Sequence, residues 1–370
     1  MGDPSERKTA PLHRIEKCTL TRFVVELDRR IGDSQISARQ LFLGVLELED
    51  DAGHVGTGSF HTITDPLPSL MELEVRFQRE VAEELIGSSP FSWANRIERP
   101  RGGNVRQSTF YPSVDQAVWD LQGQILEMPL HRLLGSRRDK VPAYASGLEF
   151  HMADDDVLAF YSSARSAGFS AFKIKVGHPD LAWDIRRLQL VREVVGPDSQ
   201  LMADANEAWS PKEAIRRLHA YHDAGIPLYW IEDPCLRDDY VGLRTISRAV
   251  PFTLVNSGEY LDLSGKRQLI EQRAVDVLNI HGSINDAMKI GWLAAEHGIP
   301  VALGNSDFEI GVHIAAALPE VYWMEYSFLS YNHLLEEPVR FEDGYAVVPE
   351  RPGHGLRLAE SARSEYARPD

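Results

Sequence analysis

Three acidic side chains recur at nearly equal spacing in the second half of the chain. Glu232 follows Asp204 by 28 residues and precedes Glu259 by 27, while Lys175 lies 29 residues before Asp204. Each step has the length of one strand plus one helix, which predicts one carboxylate at the same height on successive strands. Any one acid alone is equally well explained as a helix N-cap or a surface charge. Three converging carboxylates, however, need a cation to stay ionised, and an oxygen-only ligand set favours Mg²⁺ over zinc.

Two lysines lie one predicted strand earlier. In Lys173-Ile174-Lys175 the alternation of a β-strand places both lysines on one face. Their mutual repulsion and their loss of water would both lower a lysine pKa, toward the range that suits a general base. The alternative is a solvated edge strand, and the apolar neighbours Phe172 and Val176 weaken it.

The elements that must position these side chains begin at Pro142. From there, short apolar segments alternate with amphipathic helical ones. The predicted strands are Ala143–Ser146, Ala171–Val176, Gln200–Ala205, Leu228–Glu232, Phe252–Asn256, Val277–His281, Pro300–Leu303 and Tyr322–Tyr326. Eight strands alternating with helices predict a (β/α)₈ barrel, whose active site lies at the C-terminal ends of its strands. A doubly wound open sheet has the same alternation and stays the alternative fold.

Two of the intervening helices carry clear end signals. One runs over 210–224, with Ser210 as N-cap followed by Pro211, and Gly225 at its end. Another runs over 283–297, where Ser283 and Asp286 form a pair like a capping box.

The N-terminal part has a different pattern of predicted elements. Thr21–Leu27 and Leu41–Glu49 are strand-like, and 70–85 and 113–126 have apolar residues at helical steps. We therefore predict an α+β domain over 1–140 that caps a barrel over 141–345, followed by a C-terminal segment over 346–370 that returns to the cap.

Composition excludes several classes of protein. The formal net charge of −16 repels phosphate backbones, so we expect no nucleic-acid partner. Cys18 and Cys235 occur far apart and support neither a disulfide framework nor a zinc knuckle. No apolar run is long enough to span a bilayer, and residues 1–17 lack the apolar core of a signal peptide. We expect a cytoplasmic homo-oligomer that binds a small carboxylate substrate.

Several motifs together resemble the mandelate racemase and muconate lactonizing enzyme branch of the enolase superfamily. The resemblance covers nearly the whole chain and is specific for the family rather than for a substrate. Its motifs are Phe172-Lys-Ile-Lys-Val-Gly177, Met202-Ala-Asp-Ala-Asn206, Trp230-Ile-Glu-Asp-Pro234, Ser257-Gly-Glu259, Ala117-Val-Trp-Asp-Leu-Gln-Gly123, Pro129-Leu-His-Arg-Leu-Leu-Gly135, Asp343-Gly-Tyr-Ala-Val-Val-Pro349 and Pro352-Gly-His-Gly-Leu356.

The resemblance implies roles for the residues singled out above. It implies that Asp204, Glu232 and Glu259 bind Mg²⁺, that Lys175 is a base, and that Lys173 steadies the substrate carboxylate. A carboxylate bound to Mg²⁺ is a better electron sink, which stabilises the enediolate formed by proton loss. Two cap loops, around 31–39 and 56–62, are expected to touch the substrate, as are Asn206 and Asn305.

The chain departs from the racemase-type pattern after strands six and seven. Racemase-type members place an Asp after strand six, where this chain has His281, and a His after strand seven, which Leu303–Glu309 lacks. We expect His281 opposite Lys175, either as a second acid/base group or as a passive hydrogen-bonding partner of the substrate. Glu325 falls where the racemase type has an acid that hydrogen-bonds the enediolate. A partner for a lysine is the alternative role of Glu325.

Two reactions fit these residues. In the first, Lys175 removes the proton next to the carboxylate of a hydroxy acid such as a sugar acid, and His281 protonates the leaving hydroxyl, giving dehydration. In the second, the two residues act on opposite faces in a racemase or epimerase, and a cycloisomerase is a further alternative. A Schiff-base aldolase needs no spaced carboxylates, and an inactive binding protein needs neither the lysines nor the acids.

Overall fold

An antiparallel sheet forms the N-terminal part of the protein. The computed structural model describes residues 13–93, 110–136, 138–304, 309–327 and 331–370. Strands β1 (Ile15–Gly32), β2 (Ser37–Asp50) and β3 (Val55–Thr62) lie side by side in that order. β3 corrects one expectation, because residues 56–62 form a strand and not a loop over the substrate.

Helices cover one face of this sheet. α1 (Leu70–Phe77) continues through a π-helical turn (Gln78–Ala82) into α2 (Glu83–Leu85), and α3 (Pro90–Trp93), α4 (Tyr111–Ile125) and α5 (Leu130–Leu133) follow. α4 packs so closely on β3 that side chains at Gly56 and Gly58 would meet its backbone. The apolar positions at helical and strand spacing therefore form one core between α4 and the sheet.

Eight parallel strands form a closed barrel. They are β4 (Lys140–Ser146), β5 (Ala171–Lys175), β6 (Gln200–Asp204), β7 (Trp230–Glu232), β8 (Leu254–Ser257), β9 (Val277–Ile280), β10 (Val301–Leu303) and β11 (Val321–Ser327). Each pairs with the next, and β11 pairs with β4. That last pairing confirms the barrel and rules out the open sheet.

Helices alternate with these strands around the barrel. They are α6 (Asp154–Ser166), α7 (Leu181–Val195), α8 (Pro211–Asp223), α9 (Tyr240–Ala249), α10 (Leu263–Glu271), α11 (Ile284–Glu296) and α12 (Gly311–Ala317). Ser210 and Ser283 cap α8 and α11 by accepting backbone N–H bonds from Glu213 and Asp286. The predicted helix starts are thus confirmed.

The barrel interior is filled below the strand ends. A layer of inward-facing side chains closes it, formed by Tyr144, Ala171, Met202, Trp230, Val277 and Ala302. Above that layer the register pairs Lys175 with Asp204, and Asp204 with Glu232. The polar side chains at these strand ends therefore share one level.

The C-terminal segment contacts both halves of the protein. After a 3₁₀ turn (Asn332–Leu334), β12 (Arg340–Glu342) and β13 (Tyr345–Val347) form a hairpin, and β13 pairs antiparallel with the start of β4. α13 (Glu360–Tyr366) then packs on β1, and Arg363 Nη2 lies 2.6 Å from Glu47 Oε1. The division near residues 140 and 345 stays a prediction, although the return of the segment to the first sheet is consistent with it. None of the helices described has the length and apolar character to cross a membrane.

Candidate active site

Lys173 lies at the centre of a buried group of carboxylates. All five residues of β5 are buried, and the side chain of Lys173 is 2% exposed. Its Nζ lies 3.0 Å from Glu232 Oε2, 3.1 Å from Glu325 Oε1 and 3.6 Å from Asp204 Oδ2. The Tyr161 hydroxyl donates to the Lys173 carbonyl from outside the barrel wall, which holds the strand in place. Lys173 is thus a fixed cation shared by three strands.

Lys175 has fewer charged partners. Its Nζ donates to Asp204 Oδ2 at 2.6 Å and to Asn206 Oδ1 at 3.0 Å. Its backbone N–H donates to Glu149 Oε1 at 2.6 Å, so the loop after β4 fixes the end of β5. The ammonium group of Lys175 therefore has one carboxylate and one amide oxygen as partners in these contacts.

The expected lowering of the lysine pKa values is wrong for this arrangement. Burial is the largest single effect and would lower the pKa of Lys175, but the carboxylates of Asp204, Glu325 and Glu232 together hold that pKa above its ordinary value. Burial would likewise lower the pKa of Lys173. The carboxylates of Glu232 and Glu325 raise it well above its ordinary value. The reason is that each ammonium group faces carboxylates from neighbouring strands, whose attraction exceeds the repulsion between the two lysines.

Glu232 is held by two amide side chains that the sequence analysis did not single out. Asn256 Nδ2 donates to Glu232 Oε2 at 3.3 Å, and Asn279 Nδ2 donates to Glu232 Oε1 at 3.0 Å. Both amides are fully buried. Burial, together with the nearby carboxylates of Asp204, Glu325 and Glu259, raises the pKa of Glu232 despite Lys173. In the sequence, only their positions could have indicated these two amides, because each Asn lies on a strand within three residues of a predicted site residue.

Glu259 follows strand β8 through a glycine. Gly258 has a φ of +122°, a conformation open to glycine, and it turns the chain so that the buried Glu259 follows the strand end. Lys266 Nζ donates to the Glu259 carbonyl at 3.2 Å and also to the Leu261 carbonyl, which ties this turn to α10. Burial and then Glu325 raise the pKa of the Glu259 carboxyl, against the attraction of Lys173 and Lys175.

The donor set fits a hard divalent cation. Asp204, Glu232 and Glu259 are at most 8% exposed, and their mutual repulsion is what a cation relieves. The amide oxygens of Asn256 and Asn279 are buried and have no hydrogen-bond partner among the described residues. The three carboxylates do not, however, bring one oxygen each within 4.8 Å of one another. Lys173, which contacts both Asp204 and Glu232, occupies the space between them.

His281 follows β9, which lies four strands from β5 around the barrel, and Glu325 lies on β11, two strands from β9. The half-buried His281 lines a pocket with Glu259, Lys266 and Tyr111, and its ring meets Tyr260 edge-on at 5.7 Å. Glu325 pairs with Lys173, which is the alternative role weighed for it. Burial would raise the pKa of Glu325, but Lys173 and Lys175 hold it below its usual range.

The turn between β1 and β2 reaches the barrel mouth. Gln35 Nε2 donates to the carbonyl of Asn206, and the Ile36 carbonyl lies 2.9 Å from His151 Nε2. Asp33 accepts the backbone N–H groups of Gln35 and Ile36, which fixes the turn. The first of the two expected cap loops therefore contacts a predicted substrate-binding residue. Asn305 lies outside the described residues.

Two family profiles match the chain. Residues 24–135 match the N-terminal domain of mandelate racemase and muconate lactonizing enzymes, and residues 156–362 match the enolase C-terminal domain-like family. The chain is 34% identical over 300 residues to an L-talarate/galactarate dehydratase from Salmonella typhimurium, covering 77% of this chain and 73% of that protein. It is 29% identical over 355 residues to a 3,6-anhydro-α-L-galactonate cycloisomerase from Streptomyces coelicolor, covering 93% and 97%.

Solved structures resemble the fold closely. A protein of the mandelate racemase type from Mesorhizobium loti superposes with a TM-score of 0.92 at 50% identity, covering 96% of this chain and 95% of that one. A racemase from Streptomyces coelicolor with bound magnesium superposes with a TM-score of 0.87 at 26% identity, covering 96% and 100%.

Proposed function

Because the chain belongs to the mandelate racemase and muconate lactonizing enzyme family of the enolase superfamily, we propose that it is a Mg²⁺-dependent dehydratase of a hydroxy acid of the sugar-acid type. Its first step is removal of the proton on the carbon next to the substrate carboxylate. One observation carries this proposal. Lys175 ends a buried strand beside Asp204, where it can meet a substrate bound at the carboxylates.

Asp204, Glu232 and Glu259 would hold the Mg²⁺. Their burial, their hard oxygen donors and the raised pKa values of Glu232 and Glu259 support this assignment. When bound, the ion would withdraw electron density from the substrate carboxylate and so make the neighbouring C–H bond more acidic.

The two lysines have different roles toward the substrate. In its neutral form, which a cation on Asp204 would favour by offsetting the charge that raises the Lys175 pKa, Lys175 Nζ takes the proton. The electron pair of the broken C–H bond moves into the carboxylate to give an enediolate. Lys173, held by Glu232 and Glu325, presents a fixed positive charge that binds the substrate carboxylate and stabilises the enediolate. Asn206 orients Lys175 through its amide oxygen and can hydrogen-bond the substrate.

His281 would complete the elimination. In its protonated form it gives a proton to the hydroxyl on the next carbon, so that this group leaves as water while the enediolate electrons form a C=C bond. The resulting enol then becomes a 2-keto acid by taking up a proton on carbon. The position of His281 in a pocket with Glu259 supports this role.

A racemase, an epimerase or a cycloisomerase is the alternative. The 29% identical relative named as a cycloisomerase supports it, and such enzymes need the same first step. With no His after strand seven, His281 would serve as the second proton-transfer group in either reaction, and the 34% identical relative named as a dehydratase favours dehydration. The expectation of a homo-oligomer stays a prediction.

Product mass separates these reactions. We expect purified enzyme with Mg²⁺ to convert at least one member of a panel of aldonic and aldaric acids into a product that is lighter by one water. That product should react with semicarbazide as a ketone, and chelation of Mg²⁺ should abolish its formation. A product of unchanged mass from every accepted acid would overturn the dehydration and favour the isomerase.

A further inference from the structure

A second group of metal-binding side chains lies in the antiparallel sheet. His13 Nδ1 lies 2.7 Å from Asp50 Oδ2, and His54 Nδ1 lies 3.0 Å from the same oxygen. In the part of the chain that the structure describes, only this group of His, Cys, Asp or Glu brings three ligand atoms within 4.8 Å of one another. The carboxylates of the barrel are therefore not the most closely grouped metal donors in the molecule.

The backbone holds the Asp50 carboxylate in place. Asp50 ends β2 and pairs with Ile15 at the start of β1, so its position is set by the sheet. Its Oδ1 accepts backbone N–H bonds from Ala52 at 3.0 Å and His54 at 2.8 Å. These two bonds fix the carboxylate so that Oδ2 faces both imidazoles.

The site is open to solvent on its imidazole side. The Asp50 side chain is fully buried, whereas the side chains of His13 and His54 are 21% and 35% exposed. An ion can thus reach the three donors from solvent, and water can complete its coordination. Two hydrogen bonds from neutral imidazoles to one carboxylate are the alternative reading of this geometry.

We propose that His13 Nδ1, His54 Nδ1 and Asp50 Oδ2 bind one divalent transition-metal ion, with Zn²⁺ as the expected ion. Two imidazoles and one carboxylate are common Zn²⁺ ligands, whereas Mg²⁺ prefers oxygen alone. Each bound imidazole is neutral and carries its proton on Nε2, which frees Nδ1 for the ion. The site therefore selects a different metal from the carboxylates of the barrel.

The ion would join three points of the N-terminal sheet. His13 precedes β1, Asp50 ends β2 and His54 precedes β3. Binding to the folded state alone adds stability, so occupancy should raise the melting temperature. The proposed role is structural and does not depend on the reaction in the barrel.

Metal titration of the full chain tests the proposal. Protein stripped with a chelator is placed in excess Mg²⁺ and titrated with Co²⁺, whose visible absorption reports its ligands, and Zn²⁺ is then used to displace Co²⁺. We expect wild type to bind one equivalent of Co²⁺. His54→Ala and His13→Ala should each bind Co²⁺ at least about tenfold more weakly, because loss of even a hydrogen-bonding partner of a metal ligand lowers metal affinity by that factor. His297→Ala, a matched change at an exposed position, should bind as wild type does.

Two further readouts keep the outcome clear. Glu232→Gln, which disables the proposed Mg²⁺ site, should still bind the same equivalent of Co²⁺. Circular dichroism identifies any misfolded variant, and because either histidine alone tests the site, one folded variant suffices. Absence of Co²⁺ and Zn²⁺ binding by wild type, or unchanged binding by a folded His variant, would overturn the proposal.

Discussion

Lys173 and Lys175 lie two residues apart on one strand but have different surroundings. Lys173 contacts three carboxylates, and Lys175 contacts Asp204 and an amide oxygen. Because Asp204 is the one ion-pair partner of Lys175 in these contacts, a cation bound by Asp204 would offset the largest attraction that raises the Lys175 pKa. This difference explains why Lys175 is the proposed base and Lys173 the fixed cation.

His281 is the residue at which a separate second step can be tested. We predict that His281→Asn keeps Mg²⁺ binding and exchange of the proton next to the carboxylate but loses turnover by about 10²-fold or more, the usual contribution of a general acid. The first step needs only Lys175, whereas loss of the hydroxyl needs a proton donor. Exchange measured by proton NMR in D₂O and product formation measured by mass give the two rates.

The control is His297→Asn, which changes the same side chain at an exposed position. It should leave both rates unchanged. Full turnover by His281→Asn would show that His281 is a bystander, and the second proton would then come from another group.

For individual residues, the placement of the candidate site was predicted mainly from the spacing of charged residue types along the chain. The steps from Lys175 to Asp204 and Glu232 correctly placed these side chains next to one another, because one strand-plus-helix unit separates them. The amides of Asn256 and Asn279 were missed, since an Asn on a strand has no spacing that distinguishes it. The direction of the lysine pKa shifts was also missed, because it depends on carboxylates that only the closed barrel brings near.

Among the elements, β3 differs most from expectation. The run Gly56-Thr57-Gly58-Ser59 has the composition of a loop, yet it is a strand. Its glycines permit the close approach of α4, whose Ser113 carbonyl oxygen would lie 1.9 Å from a Cβ at position 58. Local propensity could not reveal this, because the strand depends on a helix more than fifty residues away.

Gly58→Ala should therefore destabilise the fold. The added methyl group meets a helix backbone that cannot move aside as a flexible side chain does, so we expect a loss of at least about 1–3 kcal/mol in the free energy of unfolding. Urea denaturation followed by circular dichroism measures it.

Gly265→Ala is the matched control for this prediction. A Cβ there would lie 3.1 Å from Leu261 Cβ, a much milder approach than the 1.9 Å to a backbone oxygen at position 58. Equal stability of the two variants would contradict the close packing of β3 on α4.

At the scale of the whole molecule, a chain of histidines connects the first sheet to the barrel. His354 Nε2 lies 2.7 Å from the Thr57 carbonyl oxygen of β3, while the His354 carbonyl lies 3.0 Å from His313 Nε2 on α12. The backbone N–H of His131 donates to His313 Nδ1 at 3.2 Å. These bonds fix His313 as a neutral imidazole with its proton on Nε2. Burial, and then His354, lowers the pKa of His313 to about 3.

This arrangement predicts loss of stability in acid. The unfolded chain takes up a proton on this histidine near pH ~6.5, whereas the folded protein does so only near pH 3. The stability from neutral His313 is therefore complete above about pH 6.5 and falls between there and pH 3, by up to about 1.4 kcal/mol per pH unit.

Unfolding of His313→Gln measured against pH tests this link. The variant should be less stable at neutral pH but should lose less stability on acidification than wild type, with His297→Gln as the control. An identical pH dependence in wild type and His313→Gln would contradict it.

The overall architecture was predictable up to one ambiguity. Alternation of strands and helices after Pro142 gave the eight strands, but the same pattern fits an open sheet. Only the pairing of β11 with β4 closes the barrel, and those two strands lie far apart in sequence. The C-terminal hairpin of β12 and β13 on β4 was not predicted, because its short strands lack a distinguishing pattern.

The central claim is that Lys175, beside a Mg²⁺ site, removes the proton next to a carboxylate. Deuterium uptake at that carbon in D₂O, followed by proton NMR on an acid that wild type accepts, measures this step alone. With Mg²⁺ we predict uptake by wild type, loss of at least about 10²-fold in a folded Lys175→Ala, and no Mg²⁺-dependent uptake by Glu232→Gln. Uptake by Lys175→Ala at the wild-type rate would contradict the account.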